Sequence, residues 1–196
     1  MRLDVYEKYL LFFICFFGIF LRYVNHSYDN LWYDEIISFW AANPDFSFQE
    51  TLNQNKLIEV NSVTYNLILK YFFLIFGYSA ENGRLISVIC GSCSILTVGY
   101  LCRMLEKNRI YLFAIFLTSF NIYLISYSQE MRVYSMLFLF ASLNIIFFLK
   151  IIDKNSIILS LGFAFSSIIL SSLHPFSLII FLSYTLYLGL IFLNHK

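Results

Sequence analysis

RMLEKNRIYLFAIFLTSFNIYLISYSQEMR, residues 103–132, decides the fold. It opens on the charged cluster Arg103, Glu106, Lys107 and Arg109. From Ile110 to Ser128 there is then no Asp, Glu, Lys or Arg, and Glu130 and Arg132 close the stretch. A helix over that charge-free run is long enough to cross a bilayer, whose ~30 Å hydrocarbon core needs roughly 17–25 apolar residues. Basic residues at one end mark that end as cytoplasmic.

Working outward, charge-free apolar runs recur at Tyr9–Leu21, Leu85–Cys102, Val133–Leu149, Ser156–Leu173 and Pro175–Leu193. The composition agrees: 60% hydrophobic and only 13% charged, against about 25% charged in soluble domains, which is too little charge to cover a soluble surface. Thirteen basic residues against twelve acidic ones exclude a polybasic nucleic-acid binder. Four cysteines, none in a polar stretch, exclude a secreted disulfide scaffold. The expected class is an all-α polytopic membrane protein with about six transmembrane helices. No small-residue cleavage site follows the first run, so it is read as a retained anchor, extended by Tyr23 and Val24 with Arg22 snorkelling.

A seventh run, Val63–Gly77, is short and carries Lys70 at its middle, which suits an interfacial helix. With that helix flat, Arg2, Lys8, Arg103, Lys107, Arg109, Lys150, Lys154 and Lys196 are cytoplasmic against Asp4, Glu7, Glu106 and Asp153, eight minus four, or +4. The outer side holds Arg22, Lys56, Lys70, Arg84 and Arg132 against Asp29, Asp34, Glu35, Asp45, Glu50, Glu59, Glu81 and Glu130, five minus eight, or −3. The positive-inside rule selects this arrangement. It predicts a cytoplasmic N-terminus and one long outer loop, about residues 25–84, carrying interfacial helices.

Three polar spots then share the outer face. Leu31-Trp32-Tyr33-Asp34-Glu35 opens a short amphipathic helix with two carboxylates in its first turn, either caps favoured by the helix dipole or reacting groups. Adjacent helical residues point about 100° apart, so the two acids are expected to play different parts. Glu130 and Arg132 interrupt long charge-free runs, as an ordinary hairpin tip or as a phosphate-binding arginine with an acidic partner. His174-Pro175 is either a polar helix end or a ligand-binding histidine. Cys90 and Cys93 have C-x-x-C spacing but lie inside a span, which disfavours redox chemistry.

Four stretches together resemble the membrane glycosyltransferases of the GT-C class. The similarity is to the branch of protein mannosyltransferases, the aminoarabinose transferase of lipid A and bacterial lipopolysaccharide glycosyltransferases. LWYDEIISFW (31–40) is similar to the class's first-loop acidic motif, and YNLILKYFFLIFGYSAENGRLISVICG (65–91) to its interfacial helix and second span. YSQEMRVYSM (127–136) resembles a Ser-Gln-x-x-Arg-x-Tyr stretch, and SSLHPFS (171–177) a His-bearing span end. Asn61-Ser62-Val63-Thr64-Tyr65 departs from the Pro-Leu-Tyr-like stretch usual there.

The resemblance implies a single module, 1–196, at the N-terminal side of a longer enzyme of a bacterial plasma membrane. It implies transfer of a sugar from a polyprenyl-phosphate donor to a lipid, glycan or protein acceptor at the outer face, among membrane lipids and without nucleic acid. Under it Asp34 is the base or metal-binding acid and Glu35 its orienting neighbour. Arg132 is the phosphate clamp, supported by Glu130 and Tyr134, and Arg84 and His174 are further substrate contacts. A divalent metal (Mg or Mn), held by Asp34 if present, is used by some members of the class and not by others. The rival classes are a transporter or flippase fragment, which places ionisable groups at mid-membrane, and a non-catalytic assembly subunit with Asn121 and Asn144 bridging helices.

Overall fold

A computed structural model describes residues 4–58, 62–106, 109–154 and 156–194. Arg2, Glu59, Asn61, Lys107 and Lys196, used above, lie outside the described residues. Among those described the fold is all-α, with ten helices and no strand. They are α1 (Val5–Tyr23), α2 (Tyr33–Ala41), α3 (Phe48–Ile58), α4 (Val63–Phe76), α5 (Ala80–Leu105), α6 (Ile110–Phe120), α7 (Ile122–Gln129), α8 (Tyr134–Asp153), α9 (Ile157–Leu173) and α10 (Ser177–Asn194). Local chemistry sets the ends. Asp4 and Glu7 form a reciprocal capping box at α1, Ser62 and Ser79 cap α4 and α5, and Gly77 ends α4 at φ 98°, a conformation that favours glycine.

Arg84 at the start of α5 reaches the loop after α1 and the first turn of α2, α3 packs on α2 and α4, and α4 packs on α5 and α9. α5 is the hub, packing on α1, α4, α6, α7 and α8. Glycines let the backbones close up: a Cβ at Gly99 would sit 2.4 Å from Ile115, and one at Gly91 would collide with Ser128. Asn144 is fully buried and bridges three helices, donating to Ser166 Oγ at 2.9 Å and Ser167 Oγ at 2.8 Å and accepting from Tyr184 Oη at 2.7 Å. Asn121 has a different role from the expected bridge: its side chain accepts from Leu124 N and caps α7.

Among the described residues two helices, α5 and α8, are long and apolar enough to cross a membrane, and α6 with α7 makes a third if the pair, bent by 51°, is one span. α4, α9 and α10 are shorter apolar helices, and α1 carries Glu7, Lys8 and Arg22. The continuous run Ile110–Ser128 is therefore broken at Asn121.

Arg22 corrects another expectation. Instead of snorkelling it is 1% exposed. Its guanidinium donates to Gly18 O at 2.8 Å, Ser119 O at 3.0 Å and Thr118 O at 2.7 Å. The last two belong to the end of α6, where the break removes the partners that a continuing helix would supply. Gln129 ties the far end of α7 to the same turn of α1, donating to Leu21 O at 2.9 Å and Val24 O at 2.7 Å. α7 is thus held at both ends against α1, which fixes the hinge that follows it. Lys70 likewise is 6% exposed. Its ammonium donates to the carbonyls of Asn43, Pro44 and Phe46, which follow α2 and lack helical partners, and so binds α4 to the α2–α3 connection.

Candidate active site

The α2 helix opens on carboxylates in its first turn, buries Glu35, Ser38 and Ala41 on one face at helical spacing, and is followed by Asn43-Pro44. The two carboxylates diverge as adjacent helical residues must. Glu35 turns inward and is 0% exposed. Arg84 Nε donates to its Oε1 at 2.8 Å and Arg84 Nη2 to its Oε2 at 2.6 Å. Met131 N donates to Oε1 at 2.7 Å, and Trp32 N to Oε2 at 3.4 Å. One carboxylate thereby joins the start of α2, the start of α5 and the α7–α8 hinge, segments far apart in the chain.

Asp34 turns the other way, to Arg132: Nη2 lies 3.2 Å from Asp34 Oδ2 and Nη1 donates to Asp34 O at 3.2 Å. The expected acid and the expected phosphate clamp are therefore in direct contact. Arg132 is also stacked near two rings, 5.9 Å from the Trp32 centroid and 5.6 Å from that of Tyr134. Tyr134 in turn packs against Tyr127 at 4.9 Å.

The two arginines differ in what they have left to give. All five N–H groups of Arg84 have protein acceptors: the two Glu35 oxygens, His26 O at 3.0 Å, Asp29 O at 2.7 Å and Asn30 O at 3.2 Å. Expected as a substrate contact, it has no donor free for one, and its geometry is that of a clamp holding the loop after α1. Among the described residues Arg132 has partners at Nη1 and Nη2, both on Asp34, and its buried Nε has no acceptor. A guanidinium 4% exposed with donors unfilled is the arrangement that an anionic ligand completes.

Glu130 does not pair with Arg132. Its carboxylate accepts from Ser126 Oγ at 3.3 Å. Burial raises its carboxyl above the usual range, with the Ser126 hydrogen bond opposing, the Glu35 charge adding and Arg132 and Arg84 opposing. His174 ends α9, where its Nδ1 accepts from Phe176 N at 3.2 Å. Among the described residues it shares no hydrogen bond or ion pair with Asp34, Glu35, Glu130 or Arg132. Beside the Glu35–Arg84 pair lies a polar cleft of about 390 Å³, lined by Asn25, His26, Asp29, Asn30, Trp32, Glu35, Arg84, Ser126, Gln129 and Glu130. Among the described residues no three His, Cys, Asp or Glu side chains are grouped to hold a metal ion. Asp34 faces a guanidinium and no second carboxylate, so this donor set does not fit a protein-held metal.

Trp32, Gln129 and Arg22 complete the site without having been singled out as functional. For Arg22 the available signal was Thr118-Ser119 and Asn121 in mid-span, small polar residues that mark a broken helix.

A buried Arg84–Glu35 pair, with Arg132 held against the partly exposed Asp34 nearby, lies beside a polar cleft in an apolar helical bundle. Residues 61–193, about two thirds of the chain, match the family model described as dolichyl-phosphate-mannose-protein mannosyltransferase, and the chain belongs to that family. The matched span holds Arg84, Glu130, Arg132, Tyr134 and His174, while Asp34 and Glu35 precede it. No curated protein and no solved structure gives a significant match.

Proposed function

We propose that this chain transfers a sugar from a polyprenyl-phosphate donor to a hydroxyl acceptor at the outer membrane face. The observation that carries the reading is the Arg132–Asp34 contact, a nearly buried guanidinium with unfilled donors held against a carboxylate. The donor's tail lies in the bilayer and its phosphate at headgroup depth, where the hinge after α7 ends. The phosphate competes with Asp34 for Arg132 and frees the carboxylate. The acceptor hydroxyl then forms its bond to the anomeric carbon and gives its proton to Asp34. The anomeric carbon–oxygen bond to phosphate breaks, the leaving polyprenyl phosphate keeps the electron pair, and Arg132 holds the charge. Glu35 and Arg84 position both partners by fixing α2 against the hinge.

The test is transfer from radiolabelled polyprenyl-phosphate mannose in proteoliposomes. Arg132→Ala is expected to lower the rate by about 10²–10³-fold, as loss of one charge-stabilising donor does, with Arg132→Lys recovering part of it. Wild-type protein that leaves the label on its donor overturns the reading. The transporter alternative gains one observation, the buried charge of Arg22. That guanidinium is tied to three carbonyls, and the same proteoliposomes discriminate: a transporter moves the intact donor across the bilayer and forms no glycosylated product.

The six-span orientation has its own test in a chain lacking the native cysteines. A single cysteine at exposed position 56 should react with an impermeant thiol reagent added outside intact cells, and one at exposed position 154 should not. Reaction at 154 would overturn the orientation.

A further inference from the structure

The cleft beside Glu35 and Arg84 holds chemistry that the transfer step does not use. Trp32, 47% exposed, stands at its wall, with the Arg132 guanidinium near its ring. Asn25, Asn30 and Gln129 bring amides to the wall, and Glu130 a carboxylate. The volume, about 390 Å³, falls in the range of small-molecule sites, roughly 300–1,000 Å³. An exposed aromatic face among planar polar groups suits a ligand with one apolar face and a polar rim, which describes a pyranose ring. The lining carries three carboxylates, Asp29, Glu35 and Glu130, against the single guanidinium of Arg84. Arg84 is bound bidentately to Glu35 and Arg132, which lies over the Trp32 ring, is paired with Asp34, so both pairs are neutral and the charge left to the lining of the cleft is that of Asp29 and Glu130.

We propose that this cleft selects the sugar by charge, with Trp32 as the stacking platform and Glu130 as the residue that excludes acidic sugars in favour of neutral or amino sugars. The inference rests on the transferase reading for its ligand class. The excluded group is a carboxylate on the sugar ring: brought against Glu130 in a half-buried cleft it meets a like charge, and a repulsion of about 1.4 kcal/mol is a tenfold loss of affinity. The ring in the cleft belongs either to the donor or to the acceptor, and both present the same chemistry to these residues.

The experiment is saturation-transfer NMR on the full chain in nanodiscs, with methyl mannoside, glucosamine and glucuronate as probes and no transfer required. Methyl mannoside and glucosamine should show saturable binding, and glucuronate should bind at least about tenfold more weakly. Glu130→Gln should strengthen glucuronate several-fold relative to methyl mannoside. Trp32→Ala should remove the mannoside signal and Trp32→Phe should keep most of it. If Trp32→Ala does not fold, the Glu130→Gln arm decides by itself. Glucuronate binding as well as mannoside, or mannoside binding unaltered in a folded Trp32→Ala chain, overturns the proposal. Unlabelled polyprenyl-phosphate mannose that displaces the mannoside, where polyprenyl phosphate does not, supports a donor ring in the cleft. Mannoside that stays bound beside the donor supports an acceptor ring. Transfer in a chain whose cleft takes no sugar refutes the cleft alone, and charge-selective binding in a chain that transfers nothing refutes the transferase reading alone.

Discussion

Asp34→Asn is expected to lower sugar transfer by about 10²–10⁴-fold, the range associated with losing a positioned general base, while the chain folds and binds donor. The physical basis is the division of labour in the first turn of α2. Asp34 is partly exposed, and its carboxylate is held only by Arg132, a group with donors unfilled. Asparagine keeps the size and can still accept from the guanidinium, so the hinge and α2 stay together. What it lacks is the negative charge needed to take the proton from the acceptor hydroxyl. The variant should therefore lose rate at saturating donor and, with a weaker competitor for Arg132, half-saturate at a donor concentration no higher than wild type. Transfer by Asp34→Asn at the wild-type rate would remove Asp34 from the chemistry.

Glu35→Gln should act on a different observable, destabilising the folded chain by about 3–5 kcal/mol, as expected when one partner of a buried ion pair is removed. Glu35 is fully buried, and both of its oxygens accept from Arg84 while also serving Met131 N and Trp32 N. A neutral amide leaves the 5%-exposed Arg84 without a counter-ion and turns one acceptor into a donor facing other donors. Thermal unfolding of the full chain in detergent should show a large drop in midpoint, with activity lost in proportion to folded protein. An unchanged midpoint would mean that the Glu35–Arg84 pair does not hold the outer-loop helices to the bundle.

These two neighbours show what the linear chain reveals and what it conceals. Adjacent helical residues must diverge, so the different parts of Asp34 and Glu35 were legible from geometry alone. Their partners were not, because Glu35 meets Arg84 across 49 positions and Asp34 meets Arg132 across 98. The apolar helices were legible because charge is absent from them, and Asn144 as a helix bridge because an amide inside such a run needs partners. Arg22 was expected to snorkel, and the partners of Lys70 went unseen, for one common reason. A basic residue near the end of an apolar run or in a short one ordinarily reaches for water. Here each finds carbonyls freed by a chain break, at Asn121 and after α2, which a local pattern does not display. The five partners of Arg84 likewise emerged only from the folded arrangement.

The central claim is that Asp34 and Arg132 form one reacting unit, and a single series of transfer rates tests it most directly. Asp34→Asn, Arg132→Ala and the double variant are compared with wild type in proteoliposomes charged with radiolabelled polyprenyl-phosphate mannose. Residues that act as a unit lose activity non-additively. The double variant should therefore be slower than wild type by about as much as the worse single variant. Undiminished transfer in the double variant, or losses that simply multiply, would contradict the account.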